Sequence, residues 1–135
     1  MESLGVHVLA DLMECHTDIL LATTDEVMVL VQDTMLAAAR EAKATIIGHN
    51  FRFRDDRGIS GCVMIAESHL ILHTYPETKC ALVDVFTCGP VLQPGVAVLY
   101  LIEKFQSKRP LLTEFKRGTL YLPPGQTLLH KMVEK

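Results

Sequence analysis

Alternating apolar and polar residues, together with two stretches of helical spacing, divide the chain into short elements. Alternation over residues 5–13 predicts a first strand. The helical spacing that follows Thr23 and Glu26 predicts a helix ending near Lys43, with these two residues forming a capping box at its start. A second helix is predicted to begin at Pro94. Further strands are predicted over residues 44–48, 59–66, 69–74, 80–87 and, on either side of a turn at 116–118, over 111–115 and 119–122.

This order of elements, with two helices among many short strands, predicts an α+β fold. The simplest packing is a two-layer sandwich, in which an antiparallel sheet carries two helices on one face. Residues 1–125 are expected to form a single domain that ends at Pro123-Pro124-Gly125, with residues 126–135 as a tail. The opposite face of the sheet then needs a cover, which a second subunit can supply.

Composition and charge narrow the possible partners. The net charge is -3 and no basic cluster exceeds Lys108-Arg109, so a small-molecule substrate is expected rather than nucleic acid. The sequence contains no run of about 18 apolar residues, so no membrane span is predicted. Residues 1–5 do not resemble a signal peptide, and a cytoplasmic location is therefore expected. The four cysteines form no C-x-x-C pair and the histidines are scattered, so no metal site is expected.

Several reactive side chains lie close together in the middle of the chain. Glu67-Ser68-His69 places a hydroxyl between a carboxylate and an imidazole at the junction of two apolar strands, with His73 and Cys88 nearby in sequence. Such a group is compatible with a nucleophilic site. No G-x-S-x-G motif accompanies it, and polar residues in an ordinary strand have the same spacing, so spacing alone favours the ordinary strand. His69 is expected to be structural, because neighbouring strand residues face opposite sides.

A longer pattern around these residues identifies a family. The run I-A-E-S-H-L-x-x-H-T-x-P-E, followed by D-V-F-T-C-G, resembles the signature of the prokaryotic S-adenosylmethionine decarboxylases. The resemblance begins at Leu4-Gly5 and extends to Arg117-Gly118, so it covers most of the chain.

The resemblance implies that the protein is a zymogen that cuts its own main chain. Attack of the Ser68 hydroxyl on the Glu67 carbonyl leads to cleavage between these residues, giving chains 1–67 and 68–135. Ser68 becomes a covalent pyruvoyl group, the only cofactor implied. This carbonyl forms a Schiff base with the substrate amine and withdraws electrons as carbon dioxide leaves.

The resemblance also assigns roles to individual residues. Ser60 and His73 are implied as processing residues, with His73 abstracting a proton, and Cys88 is implied as the proton donor in decarboxylation. The implied product supplies aminopropyl groups for spermidine synthesis. The implied assembly is a homodimer of processed protomers.

The predicted substrate site departs from the family pattern and leaves the substrate open. The usual F-x-P-Y-G loop is replaced by residues 53–58, and Tyr75 replaces the usual tryptophan. Phe53, Tyr75 and Glu77 are predicted substrate contacts. Two loop carboxylates, Asp55 and Asp56, would suit the guanidinium or ammonium group of L-arginine or L-ornithine. Pairing with the neighbouring arginines is the favoured interpretation, so S-adenosylmethionine is the first expected substrate and these amino acids are the second alternative. An inactive regulatory paralogue is the third alternative.

Overall fold

The computed structural model describes residues 2–89 and 92–120, and the side chains of all of these except Glu2 and Leu120. In the described part, the order of strands and helices is close to the predicted one. Their bounds are β1 Glu2–Cys15, α1 Val27–Glu41, β2 Ile46–Phe53, β3 Ile59–Ile65, β4 Ser68–Tyr75, a single 3-10 turn Pro76–Thr78, β5 Cys80–Thr87, α2 Pro94–Phe105 and β6 Ser107–Leu120.

The strands form one sheet in the order β2-β3-β4-β5-β1-β6, and every neighbouring pair is antiparallel. Four consecutive strands, β2 to β5, follow one another directly. The first strand, β1, lies between two strands from the later half of the chain, β5 and β6. The predicted α+β sandwich with an antiparallel sheet is confirmed.

One face of the sheet holds the hydrophobic core beneath the two helices. Alternate residues of β1, β3, β4 and β5 point into this core. Examples are Val63 on β3, Leu72 on β4 and Val83 on β5, which are at most 2% exposed. The helices contact each other and contribute their apolar sides to the same cluster. Burial of these side chains stabilises the fold and fixes the register of each strand, because a shift by one residue would expose them. The helix residues in the core include Val27, Val31, Met35 and Ala38 from α1 and Ala97, Val98, Leu101 and Phe105 from α2.

Within residues 2–89 and 92–120, no helix lies on the other face of the sheet, which we call the open face. It holds the alternate residues of each strand, among them many apolar side chains that a solvated sheet face ordinarily lacks. Met64, Leu111 and Phe115 on this face are each about half exposed. The register places them in rows with the partly buried side chains of Leu9, Ile71, Leu82 and Phe86.

Three local predictions differ from the structure. The first helix begins at Val27 after Glu26, which provides no side-chain cap, so the predicted capping box with Thr23 does not form. The predicted turn at 116–118 lies inside β6, because Gly118 takes a left-handed φ of 65° as an irregularity while pairing with β1 resumes beyond it. The second strand covers Ile46–Phe53, whereas it was predicted over residues 44–48.

The predicted domain end at 123–125 and the tail 126–135 lie outside the described residues. Within 2–89 and 92–120, no helix is both long and apolar enough to cross a membrane.

Candidate active site

The predicted scissile bond lies at the tight connection between β3 and β4. Ser68 is the first residue of β4 and has a φ of 153°, in the positive range that L-residues rarely adopt. Residues held in such conformations cost of order 1–3 kcal/mol, which the surrounding hydrogen bonds must offset. The main chain is therefore strained at the residue whose hydroxyl is predicted to attack.

The residue before this bond is held at its carbonyl group and at its side chain. The Glu67 carbonyl oxygen accepts a hydrogen bond from the Cys88 N–H at 3.0 Å. The Glu67 carboxylate accepts hydrogen bonds from the Thr45 N–H at 3.1 Å and the Thr45 hydroxyl at 3.3 Å. A backbone N–H that points at the attacked carbonyl is a donor for the oxyanion formed on attack.

Thr45 was not predicted as a site residue. It lies 22 residues from Glu67 in sequence and reaches it only because the start of β2 packs beside the turn that follows β3. No local pattern in the sequence indicates that contact.

His69 also takes a position that differs from its prediction. Its Nδ1 lies 3.3 Å from the Ser68 hydroxyl oxygen, although adjacent strand residues were expected to face opposite sides. The positive φ of Ser68 breaks the alternation at this point. Burial lowers the pKa of His69, with His7 and Arg117 acting in the same direction and Asp84 opposing them.

The other predicted processing residues meet at the far end of β4. Ser60 on β3 pairs with His73 on β4, and the Ser60 hydroxyl lies 2.9 Å from His73 Nδ1. Arg54 donates to the same hydroxyl at 2.9 Å, and its guanidinium lies 4.5 Å from the centre of the Tyr75 ring. Glu77 follows in the exposed 3-10 turn.

The structure thus divides the candidate site residues into two separate groups. We call Thr45, Glu67, Ser68, His69 and Cys88 the cleavage half-site, and Arg54, Ser60, His73 and Tyr75 the imidazole half-site. Ser68 and His73 are five positions apart along an extended strand, a distance of roughly 17 Å at the rise of an antiparallel strand. The two half-sites of one protomer are therefore too far apart to act on the same bond.

The charged loop before β3 is largely occupied by its own contacts. The Asp56 carboxylate lies 3.4 Å from Arg54 Nε and accepts the Gly58 N–H at 2.9 Å. These donors, Gly58 first, lower the pKa of Asp56 below its ordinary value. Asp55 is exposed, whereas Arg57 pairs with Asp25 outside the loop at 2.8 Å.

Phe53 is separated from the other predicted substrate contacts. It pairs with Ile59, whose side chain is in the core, and it packs against that core with Arg57 stacked on its ring at 3.8 Å. Tyr75, by contrast, shares the open face with His73. Among the described residues, no three His, Cys, Asp or Glu side chains are grouped to hold a metal.

We expect Thr45→Val to slow self-cleavage about fivefold, because the lost hydroxyl contributes about 1 kcal/mol to holding Glu67. Thr45→Ser keeps the hydroxyl and is expected to cut at the normal rate. Thr34→Val is the matched control, since it removes a hydroxyl bonded to Leu30 within α1. The cut fraction over time, followed by denaturing mass spectrometry, gives the rates. Equal rates for Thr45→Val and the parent chain would exclude an orienting role for this hydroxyl.

Comparison with known proteins identifies the family of the chain. The sequence profile of the family described as S-adenosylmethionine decarboxylase matches residues 6–118. A protein of Thermodesulfovibrio yellowstonii named S-adenosylmethionine decarboxylase proenzyme is 45% identical over 120 residues, covering 89% of this chain and 85% of its own length. A proenzyme of the same name from Acetivibrio thermocellus is 41% identical over 123 residues, covering 91% of this chain and 95% of its own.

A solved structure shares the fold. The crystal structure of the adenosylmethionine decarboxylase of Aquifex aeolicus superposes with a TM-score of 0.78 at 30% sequence identity, covering 93% of this chain and 100% of the other. The predicted family and the predicted enzyme class, a decarboxylase, are both confirmed by these matches. The chain belongs to the S-adenosylmethionine decarboxylase family.

Proposed function

We propose that the protein is a self-cleaving, pyruvoyl-dependent enzyme that decarboxylates S-adenosylmethionine for spermidine synthesis. The observation that carries the proposal is the Cys88 N–H bound to the Glu67 carbonyl, next to a strained Ser68. An ordinary peptide bond resists attack by a serine hydroxyl. A preformed oxyanion donor and a fixed nucleophile are the two features that lower this barrier.

Cleavage proceeds through groups that the chain itself supplies. The Ser68 hydroxyl oxygen attacks the Glu67 carbonyl carbon, and the peptide C–N bond breaks to leave an ester and a free amine on Ser68. Loss of the Ser68 α-proton then expels the Glu67 carboxylate and leaves a dehydroalanine. Its tautomerisation and hydrolysis release ammonia and leave the pyruvoyl group at the start of chain 68–135, while chain 1–67 ends at Glu67.

Once formed, the pyruvoyl group supplies an electron-withdrawing carbonyl for decarboxylation. Side chains of the protein bind the substrate and supply the proton that replaces its carboxyl group. Cys88, half-buried at the end of β5, is the proposed proton donor to the substrate α-carbon. Tyr75 offers an aromatic ring and Glu77 a carboxylate to the substrate. Phe53 faces the core and Asp56 is paired with Arg54, so both have weaker support as contacts, and Asp55 is exposed.

We propose further that two processed protomers form a homodimer through their open faces and that each active site is shared. The open face is apolar and uncovered by α1 and α2, as expected for a surface buried against a second copy. In a two-fold symmetric dimer, residue i of one protomer meets residue j of its partner and the reverse. An axis passing near Ile71, midway along β4, brings Ser68 of one protomer opposite His73 of the other. The two half-sites of different protomers then complete two active sites.

The substrate is tested by release of labelled carbon dioxide from carboxyl-labelled S-adenosylmethionine, L-arginine and L-ornithine, assayed in parallel. We expect release from S-adenosylmethionine alone. The double variant Asp55→Asn/Asp56→Asn is expected to keep this rate within about twofold, because exposed charges contribute little. Release from arginine or ornithine that the double variant loses would contradict the proposed substrate. A parent chain that stays uncut and releases nothing would indicate an inactive paralogue.

A further inference from the structure

We propose that His69 is the acid–base residue of self-cleavage, taking the proton of the Ser68 hydroxyl on Nδ1 and returning it to the departing amide nitrogen of Ser68. The inference rests on the proposed function. It adds a catalytic residue for the first chemical step. The proton abstraction that the family resemblance assigns to His73 is placed at the later loss of the Ser68 α-proton.

The geometry places one particular atom in position for this transfer. His69 Nδ1 lies 3.3 Å from the Ser68 hydroxyl oxygen, slightly longer than a formed hydrogen bond, as is common before a reacting complex tightens. The amide nitrogen that must leave belongs to Ser68 as well, so one imidazole next to this residue can serve both atoms. His73, about 17 Å further along the same strand, cannot reach either atom of its own protomer.

The surroundings of His69 favour the neutral ring that a base requires. Its ring packs beside those of Phe86, at 5.8 Å between centres, and His7, at 6.1 Å with the rings edge to face. Burial lowers the pKa of His69 below its ordinary value, and His7 on β1 and Arg117 on β6 lower it further, against Asp84 on β5. At neutral pH the ring is therefore uncharged. With Nδ1 accepting the hydroxyl proton, the ring hydrogen is on Nε2.

Atoms and charges balance without an outside reagent. The bond from the Ser68 hydroxyl oxygen to the Glu67 carbonyl carbon forms, and the developing oxyanion is met by the Cys88 N–H. The proton moves from the hydroxyl to Nδ1 and then to the Ser68 nitrogen as the C–N bond breaks. The products are the ester and a free amine, and His69 is regenerated. No oxidation or reduction takes place.

The variant His69→Gln tests the inference, because the rate at which the ester between Glu67 and Ser68 forms can be measured in it. Hydroxylamine cuts a chain that has formed the ester but leaves an intact peptide bond unchanged. We expect His69→Gln to form the ester roughly 100-fold more slowly, the usual contribution of a general acid–base group. His73→Gln is expected to form the ester at the parent rate and to stop there, so that hydroxylamine cuts it. The matched control is His49→Gln, which replaces an exposed histidine on β2 whose ring centre lies 6.2 Å from that of Phe51.

The pH dependence gives a readout that a structural role does not produce. Only unprotonated His69 accepts the hydroxyl proton, so the parent rate of ester formation is expected to fall as pH decreases through the pKa of His69, below the ordinary value of about 6.5. The residual rate of His69→Gln is expected to lack this fall. Titration of His69 by NMR in the uncut Ser68→Ala chain supplies its pKa independently, whether or not His69→Gln folds.

Ester formation by His69→Gln at the parent rate would overturn the inference, as would a parent pH profile that does not follow the titration of His69. In either case cleavage at Ser68 by the parent chain leaves the proposed function intact. If the parent chain never cuts, the proposed function itself fails.

Discussion

Ser68→Ala is expected to remain a single uncut chain of 15.0 kDa and to lose all decarboxylase activity. The substitution removes the only atom that we propose attacks the Glu67 carbonyl, and with it the source of the pyruvoyl group. The parent chain is expected to appear as two nearly equal chains, residues 1–67 and 68–135. Denaturing mass spectrometry separates these outcomes without any assay of substrate.

Ser107→Ala is the control for this substitution. Ser107 also begins a strand and its hydroxyl donates to the Met13 carbonyl at 2.6 Å, but it lies outside both half-sites. It is expected to cut at the parent rate. Efficient cutting of Ser68→Ala, or loss of cutting in Ser107→Ala with its fold intact, would contradict the assigned cleavage site.

Two uncut variants are expected to restore cleavage when they are produced together. Ser68→Ala lacks the nucleophile and His73→Ala lacks the proposed base of the second step, so neither alone gives the pyruvoyl chain. In a mixed dimer, the intact Ser68 of one protomer faces the intact His73 of the other. Random assembly of equal amounts puts half of the His73→Ala chains into mixed dimers, so about half of these chains are expected to be cut.

Mass spectrometry reads this result directly, because the 68–135 fragment then carries the His73→Ala change. Each variant produced alone is the control. A mixture that yields no such fragment, although the mixed dimer is isolated, would mean that the two half-sites do not combine across the dimer. This measurement separates a shared site from a site assembled within one protomer.

The fold could be predicted from the sequence because burial of one face of a sheet or helix gives a regular spacing of apolar residues. Alternation in β3 and β5 reflects a sheet with one covered face, and β5 has the predicted bounds of Cys80–Thr87. The helical repeat of α1 likewise reflects its buried side. The open face was anticipated by the same reasoning, since two helices can cover only one side of such a sheet.

Features that depend on one unusual dihedral angle, or on contacts between residues far apart in sequence, produce no such pattern. The positive φ of Ser68 turns His69 toward its neighbour, against the rule of alternation. Thr45 reaches Glu67 across 22 residues of chain. Arg54 contacts Ser60 because the loop folds back, with the Arg54 N–H donating to the Gly58 carbonyl at 2.7 Å. Family resemblance supplied the roles of Ser60 and His73, but it did not indicate how far they lie from Ser68 in one protomer.

The strand order has a consequence for the refolding of the two chains that the proposed cleavage would give. The proposed cleavage would give chain 1–67, with β1, α1, β2 and β3, and chain 68–135, with β4, β5, α2 and β6. Because β1 is hydrogen-bonded on both sides to strands of the other chain, the two products would stay associated while folded. Once unfolded, however, they are two separate molecules that must find each other by diffusion. Refolding of the uncut precursor is a first-order process, because it involves a single molecule. Refolding of the two cut chains would depend on their concentration, so the precursor would be the form that folds most easily.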